Sequence, residues 1–242
     1  MPVGSEKKMK VLAIECSAVP ASCAVVENGR IIASAFSDVK LTHSQTLMPM
    51  AESVLASAAL TLNDIDSFAV AAGPGSFTGI RIGIAAVKGM AAPTGKPVYA
   101  VSALEGMAHM FTDTDCILCC VMDARCSQVY NAVFDIKNGQ ITRLTPDRAL
   151  MCKELEKELL THYNARRVLV TGDGADVFLG QLNDIKLEKA HSLRVRQNAI
   201  GVGLAAEALS KNTAGISAED IKPVYLRLPQ AERELKMKTG ER

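Results

Sequence analysis

The sequence lacks three features that would each indicate a broad class of protein. It has no excess of charge, because 27 lysines and arginines face 26 aspartates and glutamates and leave a net charge of +1. A chain so balanced has no general field for polyanions, so any contact with nucleic acid would be local or made through a partner. It also has no run near the roughly 18 apolar residues of a membrane span, and its start has no signal-peptide core. We therefore expect a cytoplasmic protein that makes no membrane contact.

Signals for metal binding are also sparse. The seven cysteines include no paired Cys-x-x-Cys knuckles. Three of them, Cys116, Cys119 and Cys120, lie in one apolar run, and a strand there would place Cys116 and Cys119 on opposite faces. On opposite faces, Cys116 and Cys119 could not bind the same metal ion. We therefore expect buried thiols that act as small hydrophobic side chains. We predict no metal and no cofactor.

The order of elements predicts an α/β fold made of two similar halves. The first half reads as strands at 10–16, 22–26 and 30–35, a helix at 43–60, a strand at 67–72, a helix from 78 to about 92, and a strand at 98–101. The second reads as strands at 116–122, 127–134 and 140–144, a helix from about 147 to 162, a strand at 167–171 and a helix at 198–209. We predict two α/β domains, residues 1–112 and 113–242, the second ending in a slightly basic tail.

A glycine-rich loop joins the strand at 67–72 to the helix that follows it. It reads Gly73-Pro74-Gly75-Ser76-Phe77-Thr78-Gly79. The glycines permit positive φ, and the Ser76 or Thr78 hydroxyl can cap the helix, so main-chain donors and the helix dipole converge where an anion could sit. The spacing fits neither a P-loop nor the dinucleotide fingerprint, and a bare strand, turn and helix explains it equally well. The residues we predict to contact an anion or nucleotide are Gly73, Gly75, Ser76, Thr78 and Arg125.

Two helices have more apolar or small-residue faces than one sheet can cover. The helix at 43–60 carries two apolar stripes, and Thr42 with Gln45 predicts a capping box at its start. The helix after the loop carries a face of glycine and alanine, which lets another element approach closely. That element is either a second subunit or the protein's own sheet, and the sequence leaves both open. For the first case we predict an interface formed by Met48, Leu55, Gly79, Gly83, Ala86, Val87 and Met90.

Four segments in this order resemble one protein family. They are His43-Ser44-Gln45-Thr46-Leu47-Met48-Pro49-Met50, the run G-P-G-S-F-T-G-I-R-I-G at 73–83, Asp123-Ala124-Arg125, and Pro223-Val224-Tyr225-Leu226-Arg227. The chain from 10 to 227 is similar to the TsaB family, also called YeaZ, of bacterial tRNA threonylcarbamoyladenosine biosynthesis proteins. The resemblance implies the duplicated fold of actin-like ATPases and sugar kinases.

The same resemblance implies a function. Members of this family are non-catalytic subunits of the machinery that adds the N6-threonylcarbamoyl group to an adenosine of tRNA. The implied partners are the catalytic paralogue TsaD and the ATPase TsaE, with a homodimer when the chain is alone. The tRNA enters only as substrate of the complex.

Four positions depart from patterns that the resemblance would supply. Glu15-Cys16-Ser17 stands where the family usually has Asp-Thr-Ser, which makes a working phosphate grip doubtful. Ala103 and Met107 stand where TsaD carries the two histidines of a metal site. Two other functions stay open, an actin-like ATPase or small-molecule kinase and, less favoured, a metallopeptidase of the glycoprotease type. Arg125 could face an anion or simply pair with Asp123, and Gly172-Asp173-Gly174 could be an adenosine-side turn or a plain turn.

Overall fold

The computed structural model describes residues 9–227, so the basic tail predicted beyond that point lies outside the described residues. The strands are β1 (Lys10–Glu15), β2 (Ala21–Glu27), β3 (Arg30–Ser37), β4 (Ser67–Gly73), β5 (Val98–Ser102), β6 (Cys116–Asp123), β7 (Gln128–Lys137), β8 (Gln140–Arg143), β9 (Arg148–Met151), β10 (Val168–Thr171) and β11 (Glu188–Lys189). The α-helices are α1 (His43–Ser57), α2 (Phe77–Ala91), α3 (Ala103–Ala108), α4 (Cys152–Tyr163), α5 (Ala175–Leu179) and α6 (Ala199–Ser210).

The first sheet has the order β3-β2-β1-β4-β5. Its first three strands form an antiparallel meander, whereas β4 and β5 run parallel to β1. The β2–β3 hairpin turns at Asn28 and Gly29, both with positive φ, as a tight two-residue hairpin requires. Helices α1 and α2 pack against the sheet on one side of the fold, and α6 contacts β1, β2, β4 and β5. The predicted α/β fold class is confirmed.

The second sheet has the order β11-β10-β6-β7-β8, with β9 also paired to β7. Every strand of the first sheet precedes residue 112 and every strand of this sheet follows it. Helix α6, however, follows residue 112 and packs on the first sheet, so the chain crosses back between the two halves. The division into domains 1–112 and 113–242 stays a prediction.

The start of the predicted helix at 147–162 is wrong. Residues 148–151 form β9, which pairs with β7 through Arg148 opposite Asn131 and Met151 opposite Gln128, and α4 begins only at Cys152. The Arg148 guanidinium also donates to Asn131 Oδ1 and Glu158 Oε1. Main-chain pairing with a strand about 20 residues away in sequence overrides the local helical pattern, because pairing partners are invisible to local propensity.

The three cysteines of β6 are buried, as predicted. Cys119 and Cys120 are 0% exposed and Cys116 is 2% exposed. Burial raises the pKa of the Cys119 thiol to about 12, so this thiol stays protonated and unreactive at neutral pH.

Within residues 9–227, no helix combines the length and the hydropathy that crossing a bilayer requires.

Helices α3 and α6 cross at two glycines, and this contact joins the two halves of the chain. A Cβ at Gly201 would lie 2.0 Å from the Gly106 carbonyl oxygen, so even a methyl group forces the helices apart. We expect Gly201→Ala to lower the free energy of unfolding by about 1–3 kcal/mol, as overpacking of a tight core does. Urea denaturation checks this. The matched control is Gly89→Ala in α2, whose added methyl would meet no atom within 4 Å; equal stability of the two variants would contradict the prediction.

Candidate functional site at the glycine loop

The loop between β4 and α2 is held between two other segments. Gly73 has φ 128° and Gly75 has φ 150°, values that side-chain-bearing residues rarely adopt. A Cβ at Gly73 would lie 2.2 Å from Val224 O, and a Cβ at Gly75 would lie 2.3 Å from Ser17 O. Both positions therefore require glycine for conformation and for space.

Helix α2 begins against the turn that follows β1. Ser76 is its N-cap, and the Ser76 Oγ accepts a hydrogen bond of 3.2 Å from the Gly79 N–H. The Ser76 N–H donates to Ser17 O at 2.7 Å. Of the two residues predicted to cap α2, Ser76 is the N-cap. Thr78, whose side chain is exposed, is not.

A cavity of about 570 Å³ opens beside the start of α2. Gly75, Ser76, Thr78 and Arg125 line it, so four of the five residues predicted to contact an anion meet at one place. The cavity lies between the glycine loop of the first half and the Asp123–Arg125 turn that follows β6. That these residues bind an anion stays a prediction.

Arg125 does not form the ion pair considered from the sequence. Asp123 Oδ1 accepts its hydrogen bond from the main-chain N–H of Arg125, at 2.7 Å. The exposed Arg125 guanidinium has no carboxylate partner within residues 9–227. Arg125, Cys126 and Ser127 all have positive φ, an uncommon conformation for three such residues in a row.

Two carboxyl groups with raised pKa lie at or near this cavity: Asp173, which lines it, and Glu15, which does not. Glu15 is 1% exposed, and its Oε1 accepts a hydrogen bond of 2.5 Å from the Ser17 N–H. Burial raises the pKa of Glu15 to about 7, because an apolar surrounding disfavours the charged form. Burial also raises the pKa of Asp173, which accepts a hydrogen bond from Gln197 Nε2 at 2.6 Å. Glu15 Oε2, Ser17 Oγ and Gln197 Oε1 are buried without a hydrogen-bond partner among the described residues.

The segment 223–227 bridges the two halves beside this cavity. The Tyr225 ring stacks on Phe77 with a centroid distance of 4.4 Å, and the Arg81 Nε donates to the Tyr225 hydroxyl at 2.7 Å. The Arg227 guanidinium donates to the carbonyl oxygen of Ala124. Sequence reasoning found this segment only as part of a family pattern, because its contacts are more than 100 residues away along the chain.

Most residues of the predicted partner interface are buried within the single chain, and that they contact a partner stays a prediction. Gly79, Gly83, Leu55, Val87 and Met90 are buried in the monomer, whereas Met48 is 38% exposed and Ala86 is half-buried. A Cβ at Gly83 would lie 2.8 Å from Cys16 Sγ and 3.3 Å from Val70 Cγ2. In the single chain, these small residues let α2 pack closely against the protein's own sheet. Packing on that sheet was one of the two explanations for the small-residue face.

The predicted capping box at the start of α1 is also wrong. The Thr42 side chain makes no capping hydrogen bond, and the Gln45 N–H donates instead to the Thr42 main-chain oxygen at 2.9 Å. At the start of α3, Ser102 Oγ does cap the Glu105 N–H.

The two positions compared with a histidine pair are core positions of α3. Ala103 is 1% exposed and Met107 is 2% exposed, and both belong to the large apolar core. Neither a methyl group nor a buried thioether is a ligand for zinc. Within residues 9–227, no three His, Cys, Asp or Glu side chains are grouped so that they could share a metal ion.

Comparison with known proteins agrees with this architecture. A family model described as TsaD, tRNA N6-adenosine threonylcarbamoyltransferase, matches residues 37–235. The chain is 31% identical to the tRNA threonylcarbamoyladenosine biosynthesis protein TsaB of Bacillus subtilis, over 93% of this chain and 96% of that protein. It is 29% identical to TsaB of Escherichia coli, over 90% and 95% of the two chains. A solved structure of YeaZ from Pseudomonas aeruginosa superposes with a TM-score of 0.76 at 26% identity, over 90% of this chain and all of that one.

The similarity to the Bacillus protein extends along almost the full length of both chains, and the solved YeaZ structure superposes over 90% of this chain. The glycine loop and the Asp-Ala-Arg turn, which first suggested this family, face each other across the cavity. The chain belongs to the TsaB family of tRNA threonylcarbamoyladenosine biosynthesis proteins.

Proposed function

We propose that this protein is a cytoplasmic, non-catalytic subunit of the machinery that makes N6-threonylcarbamoyladenosine in tRNA. The observation that carries the proposal is the state of α3, whose Ala103 and Met107 fill the core at the place where the catalytic paralogue is expected to hold a metal. The buried Glu15 adds support, because a carboxyl group that is 1% exposed and whose pKa is raised by burial is a poor ligand for the cation that accompanies a triphosphate.

We further propose that the chain pairs with TsaD, alongside TsaE, through the outer faces of α1 and α2, and pairs with a second copy when alone. In this proposal the exposed residues next to the buried ones of the predicted interface make the contact with the partner. Met48 on α1 and Ala85 and Gly89 on α2 are exposed, and Ala86 is half-buried. The two helices contact each other, so these small and apolar side chains form a surface that a second pair of helices could cover.

A charged side chain on this surface tests the pairing. We expect Ala85→Glu to abolish both the homodimer and the complex with TsaD, because an unpaired carboxylate would be buried at the contact. The melting temperature of the monomer should barely change, since Ala85 is exposed. Light scattering and co-purification measure the two assemblies. Lys157→Glu, at an exposed position of α4, is the matched control, and if both variants assemble normally the surface lies elsewhere.

The function itself is tested in cells that lack their own TsaB. Expression of this chain should restore N6-threonylcarbamoyladenosine in bulk tRNA, measured by mass spectrometry of the nucleosides. The isolated chain should carry out no transfer. Micromolar ATP affinity of the isolated chain, with turnover lost in Glu15→Ala, would instead favour the kinase alternative.

A further inference from the structure

The arginines of this chain divide into two groups. Among the described residues, six are ion-paired with a carboxylate: Arg143, Arg148, Arg166, Arg167, Arg194 and Arg196. No such pair is formed within residues 9–227 by the other four, which are Arg30, Arg81, Arg125 and Arg227. Three of those four lie around the cavity at the glycine loop: Arg125 lines it, Arg81 holds Tyr225 beside Phe77, and Arg227 contacts Ala124. Within residues 9–227, three of the four arginines without a carboxylate partner are therefore found at or beside this cavity.

An aromatic pair, Phe77 and Tyr225, lies close to the same three arginines. Phe77 lines the cavity and stacks on Tyr225, with an interplanar angle of 26°. Arg81 lies 5.6 Å from the centre of the Tyr225 ring. Aromatic rings flanked by arginines are the usual means by which proteins bind the bases of single-stranded nucleic acid.

A buried hydroxyl provides a separate sign that a polar ligand enters the cavity. Ser17 is 1% exposed and lines the cavity. Its hydroxyl acts on the neighbouring Glu15 carboxyl and lowers the pKa of that group, but its Oγ forms no well-aligned hydrogen bond among the described residues. A buried hydroxyl without a well-aligned hydrogen bond destabilises the folded protein. A ligand with its own hydroxyl or amino group would remove that destabilisation.

The charged side chains of the cavity favour a ligand with a single negative charge. The lysine, arginine and aspartate residues that line the cavity are Lys40, Arg125, Asp123 and Asp173. A triphosphate would bring about four negative charges next to two carboxyl groups, whereas a phosphodiester brings one. Arg125, Ser76 and Thr78 line the cavity and can share that single charge. Arg81 and Arg227 do not line it but contact Tyr225 and Ala124 beside it.

We propose that this cavity binds one nucleotide of an RNA strand, with the base against Phe77, the phosphate at Arg125 and the flanking phosphates at Arg81 and Arg227. The inference rests on the proposed function, because it makes this non-catalytic chain a direct contact for the tRNA substrate. A volume of about 570 Å³ is within the range of sites that enclose a ligand of this size, roughly 300–1,000 Å³. The site adds to the proposed function a place where the chain itself touches the RNA.

The experiment measures binding of an unmodified tRNA transcript, and of its anticodon stem-loop, to the isolated full-length chain by fluorescence anisotropy over a range of salt. We expect Arg125→Ala to weaken binding about tenfold, as loss of a charge-assisted hydrogen bond does. The slope of log K against log salt should fall by about 0.7, one phosphate contact on a single strand. Phe77→Leu should weaken binding roughly fivefold or more through lost stacking.

Arg30→Ala is the matched control, because Arg30, at the start of β3, has no carboxylate partner among the described residues and neither lines the cavity nor contacts the residues beside it. It should change neither the affinity nor the slope. Ser17→Ala should weaken RNA binding without lowering the melting temperature, an outcome that a purely structural serine would not give. Residues beyond 227 are the same in every variant, so their contribution cancels.

Three results would overturn the proposal: no RNA binding by the isolated chain, equal losses in Arg125→Ala and Arg30→Ala, or displacement of the RNA by AMP at concentrations near the RNA dissociation constant. The last would identify a pocket for free mononucleotides. Each variant is also tested for co-purification with TsaD. If that complex forms and modifies tRNA while the RNA titration is insensitive to Arg125 and Phe77, the proposed function stands and this inference falls. If RNA binds as expected but no complex forms, the proposed function falls.

Discussion

Replacing Gly83 with leucine should unfold the protein rather than merely dissociate an assembly. Gly83 lies in the middle of α2, and a Cβ there would approach Cys16 Sγ to 2.8 Å, with Val70 and Ile14 side chains 3.3 and 3.7 Å away. A leucine has to place three further carbon atoms in that space. We expect a loss of about 3 kcal/mol or more, the upper end of overpacking in a core, against a gain of only about 1 kcal/mol in helix propensity.

The matched control is Gly89→Leu, on the same helix. Because Gly89 belongs to the proposed pairing surface, both variants are compared at a protein concentration at which each is monomeric. A side chain at Gly89 would meet no atom within 4 Å, so this variant should gain a few tenths of a kcal/mol or more from helix propensity. Urea denaturation and the melting temperature of both variants measure the difference. A folded Gly83→Leu protein that had lost only its oligomeric state would show that the small-residue face of α2 is a subunit contact after all.

The sequence anticipated the elements around the site better than their contacts. Gly73, Gly75 and Ser76 carry local signals, since positive φ and helix capping depend on a few neighbouring residues. The helical spacing of Gly79 and Gly83 showed that something approaches α2 closely. It could not show whether that element is β1 of the same chain or a helix of another, because both demand small side chains.

The parts of the site that the sequence did not predict are those formed by residues far apart in the chain. Ser17 and Tyr225 carry no motif of their own that marks a binding cavity. Ser17 becomes notable only because the fold buries its hydroxyl without a partner, and Tyr225 only because the segment 223–227 crosses the glycine loop. Strand β9 was missed for the same reason, since its hydrogen bonds go to β7.

Buried Glu15 should make the protein less stable as the pH rises. Its pKa is raised from 4.5 to about 7 by burial in the folded state. Below about pH 4.5 the carboxyl is protonated in both states. Between that value and about pH 7 the unfolded chain releases the proton while the native state keeps it, so the native state binds more protons and loses stability with rising pH. The full loss, reached above pH 7, is roughly 3 kcal/mol.

The variant Glu15→Gln removes this titration and keeps an oxygen for the Ser17 N–H. We expect it to exceed the wild-type free energy of unfolding by roughly 3 kcal/mol at pH 8, and the difference to vanish near pH 4.5. Asp173, whose pKa burial also raises, stays in both proteins, so the difference between them reports Glu15. Glu52→Gln, at an exposed position of α1, should leave the pH profile unchanged. Urea denaturation from pH 4.5 to 8 measures all three proteins. A Glu15→Gln variant that is less stable than wild type at pH 8 would mean that the carboxylate is charged and favourably paired in the folded protein.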